Sequence, residues 1–202
     1  MTVVDEIVVR RVGLIDYASC LAEMRDFTRR RDETASDEVW MVEHPPVYTL
    51  GQGAAVPGIT NGIALVQSDR GGEITYHGPG QAVIYALVDL ARRGIKVKQY
   101  VRLLEQSVID ILDGIGERKA GAPGVYVRGA KIAALGVRVV RGRAYHGVAL
   151  NVDMDLSPFG AIDPCGFPGM PVTQMRDIGI TTPFALISEQ LAGTVIRKLQ
   201  DA

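Results

Sequence analysis

Asp69-Arg70-Gly71-Gly72-Glu73-Ile74-Thr75-Tyr76-His77-Gly78-Pro79-Gly80-Gln81, continued by Ala82-Val83-Ile84-Tyr85-Ala86-Leu87-Val88-Asp89-Leu90, decides the fold. β-Branched and aromatic residues predict strands over 73–76 and 81–90, and the Gly-Pro-Gly between them predicts a tight turn. Upstream, the pattern predicts a strand over 3–10 and a helix over 14–31, whose Tyr17, Cys20, Leu21, Met24 and Phe27 recur at helical steps. Short strands follow over 39–43 and 47–50, parted by His44-Pro45-Pro46 because proline cannot donate to a ladder. Another strand is expected over 64–68. Downstream come a helix over 97–112, strands over 124–127, 131–141 and 144–152, a Pro/Gly-rich loop through Pro171, and a helix over 183–199. Such interleaving predicts an α/β (α+β mixed sheet) domain spanning 1–202, with a small C-terminal helical subregion from about 174.

Composition narrows the function class. Hydrophobic residues at 47% against charged residues at 22% suit a packed core rather than disorder. Twenty-two Lys and Arg face 23 Asp and Glu, and a formal net charge of -1 argues against a general nucleic-acid or membrane-surface binder. No apolar run approaches the roughly 20 residues of a membrane span, and the first residues lack a signal peptide's apolar core. The two cysteines, Cys20 and Cys165, have no zinc-ligand spacing and suggest no disulfide framework. A cytoplasmic protein is expected.

Cys165 is the first candidate for chemistry. Pro164 restricts the backbone before it and Gly166 frees it after, which suits a side chain held at a pocket wall; a buried, inert thiol fits the same context. Cys20, on a helix stripe, reads as a packed small hydrophobe. A thiol attacks as thiolate, so a cation beside it matters, and Lys131 and His146 lie on the segments just before the loop. Lys131 opens an apolar strand and either snorkels to water or serves a site. The glycine turns could offer main-chain N–H groups to an acyl carbonyl or a phosphate, or could simply be tight hairpins. None matches a standard nucleotide loop. His44, His77 and His146 have no metal-ligand spacing and read as hydrogen-bonded or pocket-lining groups. Arg29, Arg30 and Arg31 read as a solvated helix end. Arg138, Arg141 and Arg143 flank the candidate site, as an acidic-partner patch or as a solvated strand face.

Together these segments resemble one family. The 69–81 stretch is similar to the signature of the octanoyl-ACP:protein N-octanoyltransferases, the lipoyl(octanoyl) transferases. So are Glu43-His44-Pro45-Pro46-Val47-Tyr48-Thr49-Leu50-Gly51, Lys131-Ile132-Ala133-Ala134-Leu135-Gly136, His146-Gly147-Val148-Ala149-Leu150-Asn151 and Pro164-Cys165-Gly166, in the same order. Tyr126 departs from the pattern, where tryptophan is expected.

The resemblance implies the fold shared by biotin protein ligases and lipoate ligases. It implies a two-step transfer in which Cys165 takes an octanoyl group from the phosphopantetheine of acyl carrier protein and passes it to a lysine. That lysine belongs to a lipoyl domain of a 2-oxoacid dehydrogenase complex or to the glycine cleavage H protein. Lys131 would tune the thiol, with His146 in support. Residues Arg70, Gly71, Gly72, Glu73, Ile74, Thr75, Tyr76 and His77 would surround the acyl substrate, as would Ala134, Leu135, Gly136, Gly147, Val148 and Ala149. No ATP, metal or other cofactor is expected. Main-chain amides after Leu135 or Cys165 are the expected oxyanion donors. An ATP-dependent ligase on the same fold, needing no cysteine, is the rival, and a non-catalytic binder of lipoyl domains or acyl chains is the second.

Overall fold

A computed structural model describes residues 6–54, 58, 61–162 and 169–202. Its frame is a seven-stranded sheet in the order β1-β2-β6-β10-β9-β8-β7. The strands are β1 (Ile7–Leu14), β2 (Asp37–Glu43), β6 (Gln81–Asp89), β7 (Glu117–Lys119), β8 (Ala122–Val127), β9 (Ala130–Val140) and β10 (Arg143–Asn151). β1 runs parallel to β2 and every other pairing is antiparallel. A second sheet has the order β4-β3-β5, from β4 (Ala64–Gln67), β3 (Val47–Leu50) and β5 (Thr75–His77). The mixed sheet expected from the sequence is present.

β6 shows why its sequence is apolar throughout. Ala82, Ile84, Ala86 and Val88 pack on one side, with helices α3 (Val97–Ile111) and α4 (Phe184–Gln200). Val83, Tyr85 and Leu87 pack on the other, with Tyr17, Cys20, Leu21 and Met24 of α1 (Tyr17–Arg30). A strand covered on both faces loses its polar alternation. From α4, Ile187, Leu191, Ala192, Val195 and Leu199 join the same cluster as β6 and α3. No helix among the described residues is long and apolar enough to cross a membrane.

Element boundaries moved for local reasons. α1 starts at Tyr17 because Asp16 caps it, its carboxylate accepting from the Ser19 N–H at 2.9 Å. β1 continues to Leu14 across an irregularity at Gly13, whose φ is 73°. β6 ends at Asp89, which caps the short helix α2 (Leu90–Arg93). β7 is fully exposed and lacks the apolar residues that announce a strand.

The arginine run needs correction. Arg29 and Arg30 are exposed and pair with Asp26, but Arg31 is only 6% exposed. Its guanidinium donates to Asp37 at 2.6 Å, and Asp37 also accepts from Arg92 at 2.7 Å, Arg93 at 2.6 Å and the Asp89 N–H at 2.9 Å. Burial alone would raise the Asp37 carboxyl, yet these donors outweigh it and hold its pKa down. Arg143 joins this corner through Asp89 and the Arg31 carbonyl.

Candidate active site

A cavity of about 360 Å³ lies over the sheet face that presents Val83, Tyr85, Gly147 and Ala149. An apolar cavity of about 150 Å³ takes up benzene, so this one has room for a longer hydrocarbon. The 70–75 loop, His77 and the two strand segments 134–136 and 147–149 all line it. Arg70 shapes the loop. Its fork donates to the carbonyls of Gly71 at 3.1 Å, Glu73 at 2.8 Å and Thr49 at 2.6 Å, and to Thr49 Oγ1 at 2.9 Å. The Gly71 N–H donates to the Val137 carbonyl at 3.0 Å, tying the loop to β9.

Two glycines are required by close approach. A Cβ on Gly147 would lie 2.2 Å from the Ile84 oxygen, and one on Gly136 would lie 2.8 Å from Arg70 Cδ. Tyr76 is the one residue of the 70–77 stretch that does not line the cavity. On a strand neighbours face opposite sides, so Thr75 and His77 point to the cavity while Tyr76 packs against Tyr48 and Phe159.

Lys131 folds inward rather than snorkelling. It is 6% exposed, and its Nζ donates to the Pro123 carbonyl at 3.3 Å and stands 5.8 Å from the Tyr126 ring centre. Gly124 makes room for the arm, since a Cβ there would meet Lys131 Cε at 2.7 Å. On the main chain the Lys131 N–H donates to Pro171 at 2.8 Å, and its carbonyl accepts from Thr173 at 2.9 Å. Cys165 lies outside the described residues. Cys20 is fully buried and its thiol is pushed up to about 12 by that burial, so it stays protonated.

All three histidines are buried and hydrogen-bonded, and none joins a metal-holding cluster among the described residues. His44 donates through Nδ1 to the Ile15 carbonyl and accepts the Tyr85 hydroxyl at Nε2, both at 2.8 Å. His77 donates to Gln81 Oε1 at 2.7 Å and stacks on Tyr17. His146 donates from Nε2 to Asp69 at 2.8 Å. Burial lowers the pKa of each, most for His77. Asp69 also accepts from Tyr145 at 2.6 Å and Arg25 at 2.8 Å. Burial opposes its charge, but these donors prevail and keep it below the usual carboxylate range.

Sequence reasoning passed over several lining residues, Tyr17, Val83, Tyr85, Val101 and Pro123 among them. Tyr17 was visible only as part of a buried stripe. Asp69 stands directly before Arg70, but nothing local joins it to His146, 77 positions away. Arg138, Arg141 and Arg143 are not among the cavity's lining residues. Arg138 instead donates to Gln52 at the surface.

A family model, the lipoyl protein ligase A/B catalytic domain, matches residues 16–195. The chain belongs to this family. A relative named octanoyltransferase, from Aromatoleum aromaticum, is 55% identical over 96% of this chain and 86% of its own length. A crystal structure of lipoate-protein ligase A bound with ATP superimposes with a TM-score of 0.74, covering 97% of this chain and 85% of that one at 16% identity. A biotin protein ligase from Aquifex aeolicus, in complex with biotin and ATP, gives 0.59 over 97% of this chain and 71% of that one at 10% identity. These two likenesses fix the fold of the family, and the expected relation to lipoate and biotin ligases holds.

Proposed function

We propose that the octanoyl transfer carried out by this enzyme runs through a thioester on Cys165, with Lys131 as its proton partner. The carrying observation is the Lys131 amine, buried at the wall of an apolar-lined cavity on a strand clasped to residues 171–173. Cys165 stands six residues before Pro171, whose carbonyl accepts the Lys131 N–H.

In the first step the Cys165 thiolate attacks the octanoyl thioester of acyl carrier protein. A C–S bond forms to Cys165, the carrier's C–S bond breaks, and the departing thiolate takes a proton from the Lys131 ammonium. In the second step the amine of a lipoyl-domain lysine attacks the Cys165 thioester. A C–N bond forms, the C–S bond breaks, and Lys131 regains a proton from the incoming nitrogen. The acceptors are lipoyl domains of 2-oxoacid dehydrogenase complexes and the glycine cleavage H protein, in the cytoplasm. Exchange between thioesters is nearly isoenergetic, so the reaction draws on no ATP. Burying the seven carbons beyond the carbonyl supplies about 5–6 kcal/mol, at roughly 0.8 kcal/mol each. Main-chain amides after Leu135 or Cys165 steady the tetrahedral oxyanion.

Intact-mass measurement after incubation with octanoyl-acyl carrier protein, without ATP, tests the scheme. The wild type should gain one octanoyl group, labile to hydroxylamine and missing in Cys165→Ser. A wild type that stays unmodified, or transfer that starts only when ATP is added, would remove the thioester route.

A further inference from the structure

Successive residues of β10 alternate between the sheet faces: Ala144, Val148 and Leu150 pack towards α3 and α4, while Tyr145 and Ala149 pack towards α1. His146 breaks that order. Its φ of 64° is a left-handed value that histidine tolerates better than most side chains. The consequence is that its ring stacks on that of Tyr145, with centres 4.9 Å apart and planes 24° from parallel, and both side chains reach Asp69. Because the Asp69 carboxylate accepts at Nε2, the proton sits there and Nδ1 presents a bare lone pair. That nitrogen is buried and has no hydrogen-bond partner among the described residues, and His146 is part of the cavity wall. A strained backbone holding an unpaired buried acceptor is a feature that function retains.

Register places this ring relative to the reacting end. His146 pairs with Val137 of β9. The Lys131 arm folds back to the level of Ala133, since a Cβ on Gly124 would lie 3.3 Å from Lys131 Nζ and 2.8 Å from the Ala133 oxygen. Val137 lies four strand steps beyond Ala133, about 13 Å at ~3.3 Å per residue. An extended chain advances ~1.2 Å per bond, a third of a residue's reach. Seven bonds beyond an acyl carbonyl therefore cover roughly 8–9 Å, and a carbon contact distance of ~4 Å completes the span.

We propose that His146, locked by Asp69, is the end stop of the acyl groove and a specificity-determining residue that limits the chain to eight carbons. This rests on the thioester reading, which puts the carbonyl at the Lys131 end. A ninth or tenth carbon would run into the ring, which the Asp69 bond and the Tyr145 stack hold in place, and overpacking a fixed wall is costly. Eight carbons stop at van der Waals contact with the ring edge.

The test compares acyl carrier proteins loaded with six-, eight-, ten- and twelve-carbon chains, reading the rate of Cys165 acylation by intact mass. In the wild type the rate should rise from six to eight carbons and drop at least tenfold by ten. His146→Asn tolerates the left-handed backbone and shortens the side chain, so its ten-to-eight rate ratio should rise at least tenfold. Wild-type acylation by ten and twelve carbons as fast as by eight overturns the end stop, and so does an Asn variant that slows every length equally. Acylation that occurs with a flat length profile overturns this inference alone. No acylation at any length overturns the thioester reading and this inference with it.

Discussion

Lys131 shows how much one small neighbour decides. Its amine is turned inward because Gly124 leaves space beside the β9 backbone, so a residue whose local sequence context alone favoured solvent sits at the cavity wall. A buried ammonium near a thiol favours the thiolate and lowers its pKa by about 1–3 units. Lys131→Ala should therefore move the pH midpoint of Cys165 alkylation upward by about a unit or more. Cys20 gives no interfering signal below that range, since burial holds its thiol near 12. A midpoint unchanged within 0.3 of a unit or so would take the tuning role from Lys131. Of the site residues, those tied to glycine-rich segments were legible, because glycine and proline mark where backbone meets ligand. His146 was visible as a candidate, but its backbone inversion and its carboxylate partner depend on pairing across the sheet, which no local pattern reports.

At the level of elements, the corner around Asp37 holds β2, β6, α2 and the end of α1 together. The Asp37 and Arg31 side chains are 0% and 1% exposed, and Arg93 is 9% exposed. Removing one member of a buried ion cluster costs roughly 3–5 kcal/mol, because the remaining charges lose their counterion without regaining water. Asp37→Ala should lose that much in urea unfolding at neutral pH, and a loss under about 1 kcal/mol would show the corner to be dispensable. The sequence made helices and strands legible by period, and α3 and β9 lie within a residue or so of their expected bounds. It failed where long-range partners set the outcome. Arg31 looked like the last cation of a solvated run, and only the fold brings Asp37, Arg92 and Arg93 to it. β7 escaped notice because an exposed edge strand carries no buried face to imprint a pattern.

Across the whole molecule, His44, His77 and His146 are all buried and all held below the ordinary histidine pKa by that burial. The unfolded chain takes up protons near pH 6.5 while the folded one resists them, so folding stability is full above about 6.5 and is lost as pH falls towards the folded values. Each such histidine adds up to ~1.4 kcal/mol per pH unit to that slope. The urea midpoint should therefore stay nearly level from pH 7.5 to about 6.5 and fall from there to pH 5.5, and a flat profile throughout would mean that these rings accept protons without opening the fold. The strands of the large sheet are all made once Asn151 has been synthesised, but the side that α3 shares with α4 stays only partly covered until Ile187, Leu191, Val195 and Leu199 arrive. A ribosome-bound intermediate thus displays a greasy surface for the translation of some forty more residues, and chaperones that bind nascent chains have their best opportunity on this protein in that interval.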